Sequence, residues 1–448
     1  MTQQYKYLHF IDYILFQRWD VKAYAFQQKV FKNAVLLREI LTPYNVPLSK
    51  EKMIDKGWSI IAKINFAGEL FLRAPENTKT FKGNVHEIDG ETLIYSKINV
   101  RHGCVYYHPK DSIPFGVSSE YPAYKIDNKR VNGDFLVLLL QSQYFKNALS
   151  AGTSGISKAR VKPNVFLDIQ IPLPSLAEQN KIVAAYDATI AQAELYSTQA
   201  KDINDQIKYY LRDKLEIETI DHNTTEKQTD SFLYFINYST IDKWGTDFMI
   251  KNIQSSSSTK YKTKKICQLC NISSGGTPNR GRKEYYGGNI PWIKTGELKN
   301  EILTDTEEKL TPLGMNNSSA KLYPKGSLIV AMYGATIGKT AKLGVDATTN
   351  QACAVLFDID NKQIQTDYLW LYLQSQTDKL KAMAYGGAQP NINAGIVANY
   401  EIPLPPVDTQ NEIVEHITRL RNKQKDLQQK SLTLRQQATQ QFEQIIFN

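Results

Sequence analysis

Near the C-terminus, apolar and small side chains return every three or four positions. Positions 413, 417, 420, 424, 427, 431, 434, 438, 441 and 445 read Ile, Ile, Leu, Gln, Leu, Ser, Leu, Ala, Gln and Ile. Steps that alternate four and three form a heptad seam and predict a long amphipathic helix. A seam of the same phase lies midway along the chain, on Ile182, Tyr186, Thr189, Ala193, Tyr196, Ala200, Ile203, Ile207, Tyr210 and Lys214. Helices of ~35–40 residues would be about 55–60 Å long at about 1.5 Å per residue. Polar residues dilute both seams, so each helix is expected to pair with the other, antiparallel, rather than stand alone.

Both helices have the same entry. Residues 171–183 read IPLPSLAEQNKIV and residues 402–414 read IPLPPVDTQNEIV. Ile171 pairs with Ile402, Gln179 with Gln410 and Val183 with Val414, each 231 positions apart. Proline suits an extended lead into a helix. Ser175 with Glu178 predicts a capping box, and Asp408 is the corresponding N-cap candidate. Gln179 and Gln410 suit either partner docking or hydrogen bonding at the helix start. The repeat extends upstream: FLVLLLQSQ at 135–143 matches YLWLYLQSQ at 368–376, and LIYSKINVRHG at 93–103 resembles LIVAMYGATIG at 328–338. Trp19 and Trp244 sit near the start of each half. Collinear matches at this period describe a duplicated globular module, not a solenoid.

Ahead of each IPLP segment lies a mixed region with short β-branched and aromatic runs at 70–75, 91–98, 291–296 and 327–334. Gly, Pro, Asn and Asp punctuate them, as between strands and turns. Each region closes with an amphipathic stretch, at 135–150 and 368–384, and a Gly-rich loop. The fold class is therefore α+β: two tandem pseudo-symmetric mixed domains, each followed by a long helix, the helices pairing as an antiparallel coiled coil. The expected boundaries are 1–170 for the first domain, 171–217 for its helix, 218–232 for a polar linker, 233–401 for the second domain and 402–448 for its helix. Residues 255–258, a serine run, are expected to be a flexible stretch.

The 448 residues carry 54 Lys and Arg against 45 Asp and Glu, a net charge of +9, which favours a polyanionic partner such as nucleic acid. Four cysteines make no disulfide framework, so a reducing cytoplasm is expected. No apolar run approaches the ~18 residues of a membrane span, and MTQQYKYLHF lacks signal-peptide layout.

The chemistry that tempts falls short. GATIGKT at 334–340 is one residue too short for a phosphate loop, because the first glycine should stand where Tyr333 does. Cys267 and Cys270 form one CxxC without a second, and Cys104 and Cys353 are isolated. Neither a G-x-S-x-G elbow nor an HExxH pair occurs, and Leu404-Pro405-Pro406-Val407 shares only its prolines with the base-holding loop of amino-methyltransferases. No catalytic residue and no metal site is expected in this chain.

The duplicated IPLP helix entry, together with GVSSEYPAYKI (116–126), SSGGTPNRGRKEYYGGNIPWIKTGEL (273–298), LIVAMYGATIGK (328–339) and GGAQPNINAGIV (386–397), resembles the specificity subunit of type I restriction–modification enzymes. The resemblance implies two target recognition domains that each read half of a split double-stranded DNA site. It implies helices that set the spacer and carry two modification (methyltransferase) subunits. S-adenosylmethionine would belong to those partners, and ATP with Mg to restriction (translocase and nuclease) subunits; this chain would hold no cofactor. Two other readings stay open: a stand-alone DNA-binding or scaffold protein, and a P-loop nucleotide-binding protein.

DNA-contacting candidates follow from side-chain chemistry. Arg forks onto guanine, Lys neutralises phosphate, and Asn or Gln reads adenine. In the first half they are Lys79, Lys82, Lys97, Arg101 and His102. In the second they are Thr277, Arg280, Arg282, Lys283, Lys294, Tyr333, Thr336 and Lys339, with Gln389 and Asn391 in the Gly-rich loop. Trp19, Trp244 and Trp292 are expected to anchor cores.

Overall fold

The computed structural model describes residues 31, 33–73, 81–151, 160–219, 257–385 and 390–447. Trp19, Trp244, Lys79, Gln389 and most of the expected linker lie outside the described residues. The chain divides into two compact units, 1–197 with 429–448, and 198–428. Each is built on the same order of elements.

In the first unit, strand Ala34–Leu36 pairs antiparallel with Gln170–Pro172, the strand that leads into IPLP. A 3-10 turn, Leu37–Glu39, delivers the chain to a four-stranded antiparallel sheet of Leu41–Tyr44, Ala123–Ile126, Thr92–Tyr95 and Val105–His108, in that order. Side chains alternate across the sheet. Leu93, Tyr95, Val105 and Tyr124 join a core with the helices Gly133–Gln141 and Gln143–Ala151. Ile94, Cys104 and Ala123 face a second core with Met53, Ile60, Ile88 and Phe115. The strand Thr92–Tyr95 is thus buried on both faces.

The second unit repeats this plan. Thr263–Lys265 pairs with Glu401–Pro403, and the turn Ile266–Gln268 follows. The sheet order is Asn271–Ser274, Cys353–Phe357, Leu328–Ala331, Thr340–Leu343, with Glu301–Leu303 added in parallel at the edge. Helices Thr366–Ser375 and Thr377–Ala382 stand where Gly133–Gln141 and Gln143–Ala151 stand in the first unit. Both amphipathic stretches are therefore broken helix pairs rather than single helices. In the first copy the break is Ser142, in extended backbone, whose hydroxyl donates to the Leu139 carbonyl (2.7 Å) and accepts from the Phe145 amide (3.2 Å).

Two long helices, Leu176–Lys214 and Val407–Phe447, run 39 and 41 residues. Both units take a section of each, and the sections pair antiparallel within each unit. In the first, the Ser431 hydroxyl donates to the Ala193 carbonyl (2.7 Å) and Phe442 meets Tyr186 edge-on. In the second, Gln424 donates to the Ala200 carbonyl (2.8 Å), His416 stacks on Tyr210 (4.0 Å), and Lys214 pairs with Glu412 (2.6 Å).

The seam departs from its predicted register at each C-terminal end. Gln441 and Ile445 are exposed, and Phe442 and Ile446 are buried in their stead. Likewise Leu211 and Leu215 are more deeply buried than Tyr210 and Lys214. A straight helix drifts ~20° per heptad, so after five heptads the buried stripe has moved by about one residue. The helix caps also differ. Ser175 accepts from the Glu178 amide and Glu178 from the Ser175 amide (3.0 Å), as predicted. The second helix starts at Val407, so Asp408 lies inside its first turn rather than at the cap. Residues 257–258, expected to be flexible, pair antiparallel with 218–219.

Candidate nucleic-acid interface

In each unit the third strand of the main sheet ends in a short turn that carries sequence candidates. In the first unit the turn is Val100–His102, closed by Gly103 in a left-handed conformation (φ 91°). Arg101 is half-buried, while His102 is exposed and lies 5.3 Å from the Phe66 ring. Lys97 has a structural assignment: its ammonium donates to the Ser119 carbonyl (2.6 Å) and its own carbonyl accepts from the Val161 amide (2.8 Å). Lys82 is exposed, away from these bonds.

In the second unit the equivalent turn is Gly334–Thr336. Thr336 donates to the Tyr333 carbonyl (2.9 Å), and Tyr333 bridges to Asn391. Asn391 also exchanges both backbone bonds with Tyr385. The Gly334 amide donates to the Pro390 carbonyl (2.9 Å), which ties the turn to the end of the Gly-rich loop. Lys339 leads directly into the strand Thr340–Leu343. A phosphate loop opens a helix, so this segment is a strand connection and not a nucleotide cradle.

The GGTP loop joins the same region. Gly275 and Gly276 pack so closely on 319–320 and 349–350 that any Cβ would collide with backbone. The Thr277 hydroxyl donates to Gln351, one residue from Ala352, whose carbonyl accepts from the Met332 amide (2.9 Å). Thr277, Tyr333, Thr336 and Asn391 are therefore brought together.

The basic candidates divide into two classes. Arg280 lies over both Tyr286 and Trp292 (4.7 Å to each ring) and pairs with Glu308 (2.5 Å). Lys294 reaches Glu308 (3.0 Å) and Glu307 (3.2 Å). The Glu308 carboxyl is held below its usual range, chiefly by its hydrogen bonds to Arg280 and then Lys294. Both cations brace the loop through these carboxylates. Trp292 is buried, with its indole N–H on the Gly276 carbonyl (3.0 Å), as expected of a core anchor. Lys283 is exposed, and Arg282 meets Glu284 at 3.4 Å. The side chains of these two cations are solvent-exposed.

Gln179 and Gln410 resolve in favour of hydrogen bonding. Both are buried. Gln179 accepts from the Asn132 amide (2.9 Å) and donates to the carbonyls of Arg130 (2.9 Å) and Pro174 (2.8 Å). Gln410 accepts from the Gln365 amide (2.8 Å) and donates to the carbonyls of Gln363 (3.1 Å) and Pro405 (2.9 Å). One device, used twice, fastens each long helix to its own domain.

Sequence reasoning missed Phe66, Tyr385 and Gln141. Phe66 stands on a hairpin tip between strands Ile61–Ile64 and Leu70–Leu72. The Gln141 amide lies 3.4 Å from the carbonyls of Ala67, Gly103 and Val105, joining that tip to the turn. The signal for the hairpin was Asn65-Phe66-Ala67-Gly68 between two apolar runs. Among the described residues, no helix is long and apolar enough to cross a membrane, and no cluster of His, Cys, Asp and Glu is suited to hold a metal.

Comparison with known proteins sets this geometry in context. The chain is 25% identical over 369 residues to the type I restriction enzyme HindI specificity subunit of Haemophilus influenzae, covering 72% of this chain and 80% of that one. It is 28% identical over 176 residues to the MjaIX specificity subunit of Methanocaldococcus jannaschii, covering 38% and 40%. A solved structure concerned with complex assembly and conformational transition of the type I R-M system superposes with a TM-score of 0.59 at 17% identity, over 94% of this chain and 98% of that chain, a likeness of fold. The family model described as "Type I restriction modification DNA specificity domain" matches residues 74–208 and 258–434. With most of its length matched in two copies, this chain belongs to the type I restriction–modification DNA specificity family.

Proposed function

We propose that the regions 1–170 and 233–401 each read one half of a bipartite DNA target, and that the two long helices set the spacer between the halves. The observation that carries this reading is the repeated plan: two similar frameworks, each closed by a buried glutamine, carry different side chains on their equivalent turns, Val100-Arg101-His102 and Gly334-Ala335-Thr336. A framework that repeats while its turns differ suits two unlike half-sites in one duplex. Exposed Lys82, Arg282 and Lys283 would neutralise phosphate, which fixes register; the turns at 100–102 and 333–339 would meet base edges, which carry sequence.

The helices also suit a platform for two modification subunits, each facing one copy of the repeat. In that arrangement this chain does no chemistry. The modification subunits would hold S-adenosylmethionine and supply methyl transfer, and restriction subunits, where present, would use ATP and Mg. The test is single-molecule methylome sequencing of cells carrying this chain with its cognate methyltransferase. Two unrelated half-sites at a fixed spacer are expected. A continuous or palindromic target, or no methylated motif that depends on this chain, overturns the reading.

A further inference from the structure

Phe66 is 65% exposed, an unusual setting for a phenylalanine in so well-fixed a segment. The turn beneath it is rigid. The Asn65 side-chain oxygen accepts from the amides of Ala67 (3.0 Å) and Glu69 (2.8 Å), and its amide donates to the Glu69 carboxylate (2.6 Å). Backbone bonds from Asn65 to Glu69 and from Gly68 to Asn65, each 3.0 Å, close the loop. Gly68 is left-handed (φ 82°), and a Cβ there would fall 1.9 Å from the Gln141 amide nitrogen. The tip is thus pinned against the turn Val100–His102, with the ring held out beside His102.

Besides Glu69, which Asn65 engages, the neighbouring charges are cationic. On the same hairpin Lys63 lies over Phe71 (5.0 Å). Gly103 packs between the Lys146 side chain and the Phe66 carbonyl. A second, independent observation comes from the other unit. There the equivalent turn is flanked by Tyr333 and Tyr385, each 47% exposed, from residues that do not align with Phe66. Two units with unrelated loops place an exposed aromatic ring beside the same turn.

We propose that Phe66 is an aromatic wedge: its ring enters the base stack of duplex DNA next to the turn 100–102, with His102 behind it. Apolar wedges unstack a base step, and an aromatic face stacks on any base. The flanking cations favour DNA over an apolar protein partner. This inference rests on the reading that the first unit contacts DNA.

The test uses the full chain assembled with its modification subunits, on duplexes with 2-aminopurine placed at successive positions of the first half-site. The wild-type complex should raise fluorescence at one step. Phe66→Ala should abolish that signal and weaken binding roughly ten- to one-hundred-fold, Phe66→Trp should keep the signal, and thermal melting of both should match wild type. A methylated target with unchanged signal and affinity in Phe66→Ala overturns the wedge and leaves the DNA reading intact. Loss of modification-subunit assembly in Phe66→Ala also overturns it. Absence of any methylated bipartite target in the wild type fails the underlying reading instead.

Discussion

Replacing Gln179 by Met keeps most of the side-chain volume and removes three hydrogen bonds at once. The Asn132 amide and the carbonyls of Arg130 and Pro174, all part-buried, lose the fully buried side chain that satisfies them. A buried donor or acceptor left unsatisfied costs about 1–3 kcal/mol, so about 3 kcal/mol is expected at the lower end for three groups. Because the Asn132 amide sits at the cap of the helix Gly133–Gln141, the loss should appear there first. Hydrogen exchange measures this locally, which suits a chain of two units whose global melting need not be two-state. Amides at 132–136 should exchange roughly one-hundred-fold faster in Gln179→Met, since about 1.4 kcal/mol is tenfold. The second unit should be unaffected. Gln410→Met should do the same to 365–369 and spare the first unit. If Gln179→Met leaves exchange within about fivefold of wild type and instead weakens modification-subunit assembly, the residue docks a partner and the fastening role is wrong.

Arg280→Ala removes two ring contacts and the Glu308 pair, and should destabilise the second unit by about 1–2 kcal/mol, discounted for a half-exposed guanidinium. Readout of the second half-site should weaken across several positions; unchanged melting with relaxed preference at a single base pair would mark a direct base contact. His108 is buried against Phe115, and burial holds its imidazole below the usual pKa. The folded state thus stays neutral where the unfolded chain is protonated, so this contribution is full above about pH 6.5 and is lost as pH falls towards and through the folded value. Denaturation midpoints at pH 7.5 and 5.5 should diverge less in His108→Phe; equal slopes would refute the assignment. Inserting one heptad near Ala200 and another opposite, near Gln424, keeps the seam in phase and adds about 10 Å, so the preferred spacer should lengthen by about three base pairs. Methylome sequencing reads the spacer directly, and an unchanged length removes the ruler.

The helices and the repeat were legible because both are written in local periodicity and in near-identical segments. The register error at 441 and 445 was not visible in a strict heptad. It arises because 3.6 residues per turn do not divide seven, and because Phe442 offers the ring that the domain core takes up. Arg280 stands in a basic, Gly-rich loop, and the ion pair it makes was not legible there. Its neutralising carboxylate, Glu308, lies 28 positions downstream on a neighbouring strand, where only strand pairing brings them together. Phe66 carried the opposite problem. In sequence it is one more apolar residue beside a strand, and nothing local says that its ring stays in solvent.

What the two copies share and what they do not follows a physical rule. Ile171 and Ile402, Gln179 and Gln410, and the strands that lead into IPLP recur because each satisfies backbone groups or core volume that any copy of the framework must satisfy. Gln141 and Gln374 are also the same residue in the same place of the repeat, yet their bonds differ. Gln141 lies against the carbonyls of the hairpin tip and the turn, whereas Gln374 takes the guanidinium of Arg421. The position is inherited; the partner is a hairpin tip and turn in one unit and the long helix Val407–Phe447 in the other. On the proposed reading, a duplicated scaffold whose interior is fixed and whose rim differs would let one half of a target change while the other is kept, because each rim is braced within its own unit.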